Sequence, residues 1–129
     1  MKTNYLIPVF FSALIFFASC SGSDVYRGNW KATDADGKKY EINFEPKNFS
    51  IKDENGKVDK YEYTQNSVKI ENSVTTYGIQ VKDERAYTIF FPIANNTSEG
   101  VILFQNNQPL YTISRTSYIQ YKELFKLNK

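Results

Sequence analysis

The chain reads as an all-β domain, an antiparallel barrel or sandwich of short strands. Three observations predict this. Apolar and polar residues alternate with period two, as in Tyr40, Ile42 and Phe44 against Glu41, Asn43 and Glu45. Turn chemistry such as Asp36-Gly37 and Asn55-Gly56 interrupts the alternation at short, regular intervals. Tyr and Phe, 10 of each in 129 residues, are abundant, and aromatic side chains suit pleated, half-buried surfaces.

The first element is not part of that domain. Lys2 gives a positive start, and residues 5–18 then run without a charge through Leu6, Val9, Phe10, Leu14 and Phe17. Ala18 and Ser19 lead into Cys20, the only cysteine. This is the layout of an export signal: positive region, apolar region, small-residue cleavage site. Phe17-Ala18-Ser19-Cys20 resembles the lipobox of bacterial lipoproteins, with Phe17 standing where that family usually has an aliphatic residue. The resemblance implies cleavage before Cys20 and acylation of its thiol by chains of the palmitate type. The implied location is the cell envelope, as an outer-membrane-anchored lipoprotein facing either the periplasm or the surface. Other readings of the stretch are ordinary secretory cleavage and an uncleaved anchor. An apolar run of about 14 residues is short of the ~20 needed to span a bilayer, which weighs against the last. Residues 1–19 are thus expected to be the signal peptide, 20–25 the lipidated cysteine and its tether, and 26–129 the folded domain.

Within that domain, residues 26–33 are expected as the first strand, with Trp30 and Ala32 on one face. Asp34-Ala35-Asp36-Gly37 turns the chain into the strand carrying Tyr40, Ile42 and Phe44. Phe49 and Ile51 alternate with Ser50 and Lys52, and Asp53-Glu54-Asn55-Gly56 turns again. Residues 58–64 hold Tyr61 and Tyr63 on one face. Gln65-Asn66 reads as a turn into a separate short strand, 68–71, and Asn72-Ser73 as the turn into 74–81. After the charged turn 82–85, residues 86–91 place Tyr87, Ile89 and Phe91 on one face and Phe90 on the other, so this strand is expected to be covered on both sides. Strands at 101–104 and 110–115 follow. Ser117 with Gln120 three residues on is a candidate capping box for a short helix to about Phe125, with Tyr118, Tyr121, Leu124 and Phe125 as its apolar stripe. An extended tail is the alternative.

Composition excludes several chemistries. Histidine is absent, which removes the commonest general base and transition-metal ligand. With 16 Lys/Arg and 14 Asp/Glu interspersed, there is no electrostatic footprint for nucleic acid. Asp34, Asp36 and Glu45 fall at positions one, three and twelve of a calcium-loop window, but Lys38 and Lys39 stand at positions five and six, and a hairpin turn explains the acids. Glu41, Glu45 and Glu62 lie on polar faces of strands, where solvation accounts for them. No phosphate loop, nucleophile elbow or Cys–His pair is present. Neither an enzyme nor a cofactor is expected.

The tyrosines carry the functional expectation. Tyr40, Tyr61, Tyr63, Tyr77 and Tyr87, with Phe44, fall on inward faces. They either fill the core or line a cavity, since tyrosine pairs an apolar ring with a hydroxyl that can orient a ligand.

Gly28-Asn29-Trp30 ahead of a run of short antiparallel strands resembles the Gly-X-Trp signature of lipocalin-like (calycin-type) barrels. That resemblance implies a small up-and-down barrel of about eight strands, open at one end. Trp30 would then close the other end, beneath a basic residue from the last strand, here Arg115. It also implies a small apolar ligand held non-covalently among Tyr40, Phe44, Tyr61, Tyr63, Tyr77 and Tyr87. The rival expectation is a solid barrel whose loops engage another envelope protein.

Overall fold

The computed structural model describes residues 22–126. The leader, Cys20 and the three C-terminal residues lie outside them, as do the expectations of cleavage and acylation. Eight antiparallel strands follow one another around a closed barrel: β1 (Gly28–Thr33), β2 (Lys39–Phe44), β3 (Asn48–Lys52), β4 (Val58–Glu71), β5 (Val74–Val81), β6 (Ala86–Phe91), β7 (Glu99–Phe104) and β8 (Pro109–Ser114). Closure is made by β1 against β8, with Ala32 opposite Ile113. One short helix, α1 (Tyr121–Leu124), follows. The order is up-and-down, as the resemblance to lipocalin-like barrels implied; alternation and turns alone left barrel and sandwich open.

Two hairpins show how local sequence builds the first end of the barrel. In Asp34-Ala35-Asp36-Gly37-Lys38 the Asp34 carboxylate accepts the backbone N–H groups of Asp36 and Lys38, at 2.9 Å each. In Asp53-Glu54-Asn55-Gly56-Lys57 Asp53 does the same for Asn55 and Lys57. Gly37 (φ +84°) and Gly56 (φ +86°) take left-handed conformations that a side chain would oppose. These acids are turn-formers. We call this end, with the connections β1–β2, β3–β4, β5–β6 and β7–β8, the turn end.

At the opposite end the chain enters the fold. β1 begins at Gly28, two residues later than the alternation suggests, because Gly28 sits at φ +101° and breaks the extended run. Tyr26 therefore lies below the strand and turns into the barrel, fully buried. Its ring meets Phe44 at 5.2 Å and Tyr77 at 5.0 Å, and its hydroxyl donates to Gln65 Oε1 at 2.7 Å. The preceding residues are laid along the barrel: Gly22 N–H donates to the Pro46 carbonyl and Ser23 N–H to Gln65.

The expected turn at Gln65-Asn66 is instead a β-bulge inside one long strand. β4 pairs with β5 from Tyr63 opposite Val81 to Glu71 opposite Val74, and the register shifts between Gln65 and Ser67. The unpaired Asn66 resets the alternation, so that Val68 stays on the inward row with Tyr77. Gly78 lies opposite Ser67; a Cβ there would run into the Ser67 hydroxyl. The sequence shows two polar residues and reads as a turn. Gly78, which makes room for the bulge, lies on the next strand.

The interior is filled chiefly by Trp30, Ile42, Phe44, Tyr77, Ile79, Ile89 and Phe91, all nearly or fully buried. Each such side chain contributes about 1.5–3 kcal/mol by leaving water. A second cluster lies outside the barrel, where Ile93, Val101 and Leu124 are packed with Phe90 and Leu103. Phe90 is thus covered from outside, as its position opposite Ile89 and Phe91 requires. The C-terminal element differs from its expected form. Its N-cap is Gln120, whose N–H donates to Glu123 Oε1 at 2.7 Å, rather than Ser117. Of the apolar stripe only Leu124 is buried; Tyr121 and Phe125 pack on each other in the open, and Tyr118 lies beneath the Lys31 and Lys39 ammonium groups.

Candidate functional site

The structure places the residues expected to matter in two regions, one at each end of the barrel. At the entry end, Trp30 is 1 % exposed and donates its indole N–H to the Tyr26 carbonyl at 2.9 Å. The Arg115 guanidinium lies 3.8 Å above the indole ring. Its Nη1 donates to the Asn29 carbonyl at 3.0 Å, and its Nη2 to those of Val25 and Arg27 at 3.1 and 2.9 Å. One planar cation therefore covers an aromatic face and ties the alternate carbonyls of Val25, Arg27 and Asn29 to the end of β8. The chemistry here is structural: a stacked fork that lysine could not reproduce.

At the turn end a cavity of about 120 Å³ opens into the barrel. Its floor is buried and apolar, made by Ile42 and Phe44 of β2, Ile79 of β5 and Ile102 of β7. Half-buried rings of Tyr61, Tyr87 and Tyr111 form the rim with Arg85, whose guanidinium lies 5.3 Å from the Tyr61 ring centre and 6.0 Å from that of Tyr87. Alternation brings these side chains together, since residues on one row of a closed sheet share its interior.

Of the six residues expected to bind a ligand, the cavity is lined by Phe44, Tyr61 and Tyr87. The other three stand elsewhere. Tyr63 packs at the entry end, and its hydroxyl donates to the Glu45 carbonyl at 2.6 Å. Tyr77 is buried against Tyr26 and Phe91. Tyr40 leans on the Tyr111 ring while its hydroxyl donates to Asp34 Oδ2 at 3.0 Å. The sequence does not mark Phe49, Ile51, Ile102, Leu110, Tyr111 or Arg85 as residues around a ligand, yet all of them line the cavity. Period two through Tyr111 and Ile113 was the available signal for Tyr111. Arg85 reads as one more charge in a turn, and nothing in the linear sequence shows that it returns over two rings.

Burial favours the protonated phenol at Tyr40, Tyr87 and Tyr111. Burial raises Tyr87 and Tyr111 above the ordinary phenol range, with the Asp34 charge adding to the effect at Tyr111. Tyr40 is pushed up to about 12 by burial and then by its bond to Asp34. The rim thus presents tyrosine hydroxyls and one cation, a set able to orient a ligand. Among the described residues no group of three or more acids or cysteines converges as a metal site.

Comparison with protein-family models, curated proteins and solved structures finds no match to this chain.

Proposed function

We propose that this chain is a lipid-anchored protein of the bacterial cell envelope whose lipocalin-like barrel binds a small apolar ligand at its turn end. The observation that carries the ligand is the cavity, apolar on its floor and ringed by tyrosines. The Gly28-Asn29-Trp30 and Arg115 arrangement supports the lipocalin-like reading. Phe17-Ala18-Ser19-Cys20 supports the anchor. Size limits the ligand: drug-sized molecules occupy ~300–1,000 Å³, whereas about 120 Å³ takes one small ring or a short branched chain.

The ligand reading is tested by the melting temperature of the mature protein in toluene. Tenfold excess over the dissociation constant stabilises by about 1.4 kcal/mol, a rise of about 5 °C or more. Ile51→Phe, which fills the cavity from β3, should remove that rise. No rise in the wild type counts against a ligand. The anchor reading is tested separately, by incorporation of radioactive fatty acid into wild type and Cys20→Ala. Equal labelling excludes it.

One observation favours a second reading, a protein-interaction module. Beyond the bulge Val68 and Ile70 remain on the inward row of β4, yet they are 54 % and 70 % exposed. Exposed apolar side chains on a barrel rim suit a protein partner. Cross-linking in cells that Val68→Lys with Ile70→Lys abolishes would favour this reading.

A further inference from the structure

We infer that the ligand is a small monocarboxylate: its apolar part enters the cavity and its carboxylate meets the outer edge of the Arg85 guanidinium. This rests on the ligand-binding reading and adds a head group to it. Three observations lead there.

First, Arg85 is only partly committed. Its Nε donates to both Asp83 carboxylate oxygens, at 3.0 and 2.9 Å, and its Nη2 lies 2.7 Å from Oδ2. A guanidinium has five N–H donors. Both on Nη1 and the second on Nη2 have no protein partner among the described residues, and they form the fork that accepts a carboxylate through two parallel bonds.

Second, that fork stands at the rim of an apolar hole. Arg85 lines the cavity and lies over Tyr61 and Tyr87, whose rings hold the guanidinium by cation–π attraction. A neutral apolar ligand would gain little from a cation at the entrance. A purely polar anion would gain nothing from Ile42, Phe44, Ile79 and Ile102 beneath it. A molecule with an apolar body and an anionic head uses both.

Third, the surroundings select charge and size. Asp83 shares the guanidinium, and the Asp34 and Asp59 carboxylates are near enough to Tyr111 for their charges to add to the burial that raises its phenol. This much negative charge disfavours a dianion such as a phosphate monoester and tolerates a single carboxylate. An apolar cavity of ~150 Å³ is known to hold a benzene ring, so about 120 Å³ sets one ring as the upper limit for the buried part.

The probes are sodium benzoate and benzyl alcohol, which share a ring and differ in charge. Each is titrated calorimetrically into the mature protein isolated from membranes, with detergent-only blanks. Wild type should bind benzoate about tenfold more tightly than benzyl alcohol. Added salt should weaken benzoate alone. Arg85→Gln should erase the preference, weakening benzoate about tenfold relative to benzyl alcohol; Arg85→Lys, charged but without the fork, should fall between. Circular dichroism establishes that each variant is folded, and a variant that fails is replaced by Asp83→Asn. That change frees the guanidinium and should strengthen benzoate. Equal affinity of wild type for the two probes, or a preference that survives Arg85→Gln, overturns the carboxylate inference and leaves apolar binding standing. Binding of neither probe overturns both.

Discussion

Arg115→Ala is the perturbation whose cost can be worked most fully from the structure. Two contributions are lost together. The guanidinium 3.8 Å above Trp30 is a cation–π contact shielded on one side by the ring it covers, and such contacts contribute up to about 2 kcal/mol when desolvated. The three carbonyl acceptors, Val25, Arg27 and Asn29, are only partly withdrawn from water, so each loses about 0.5–1 kcal/mol rather than the full value of a buried charged bond. The sum is about 1.5–5 kcal/mol. For a domain near 100 residues that lowers the melting temperature by about 7–25 °C. Arg115→Lys retains the charge without the planar fork and should lose about half as much. The stacking contribution is isolated by a double-mutant cycle with Trp30→Leu, followed by circular dichroism in urea because the variant lacks the only tryptophan. A coupling of about 1–2 kcal/mol is expected. If the two changes add to within ~0.3 kcal/mol, the guanidinium does not stabilise the ring and the reasoning fails.

Other predictions concern packing and pH. Gly100→Ala should cost about 1–3 kcal/mol, because its Cβ would stand 2.6 Å from the Phe90 carbonyl oxygen and 2.7 Å from the Phe91 ring, neither free to move. Gly56→Ala meets nothing within 4 Å and should cost only about 1 kcal/mol, through its positive φ; equal losses in chemical denaturation would refute the packing argument. Stability should be level from pH 6 to 8, where the chain has no histidine to titrate, and fall above pH 10. The sign follows from linkage: burial raises Tyr26, Tyr63 and Tyr40, so above pH 10 the unfolded chain ionises these phenols and binds fewer protons than the native one. The share from Tyr40 should be gone by about pH 12. Melting curves across that range check this, and a Tm that rises above pH 10 would contradict it.

The barrel was legible because its code is local. Alternation in residues 40–44 and 86–91 assigns faces without knowledge of partners, and Asp-Gly and Asn-Gly turns announce the hairpins. Features that depend on a neighbouring strand were not legible. Asn66 is a bulge only because β5 continues opposite it and Gly78 leaves room. Tyr26 enters the core from outside the strand because Gly28 turns the backbone. The same limit applies to the site. Inward tyrosines could be named, but alternation does not say at which height in the barrel each stands. Phe44, Tyr61 and Tyr87 reach the cavity, whereas Tyr63 and Tyr77 pack around Tyr26, a residue the pattern had put in a strand. Arg85 escaped notice because its role arises from a turn folding back over two rings.

The claim that the turn end receives an apolar group is tested most directly by methyl NMR of isoleucine-labelled protein titrated with toluene. The methyls of Ile42, Ile79 and Ile102, which floor the cavity, should shift together and saturate. Those of Ile89 and Ile113, buried in the same core but away from the cavity, should stay in place. Saturable shifts at the first three that Ile51→Phe abolishes are the predicted result. No saturable shift at Ile42, Ile79 and Ile102, or equal shifts at all five positions, would contradict a ligand site in this barrel.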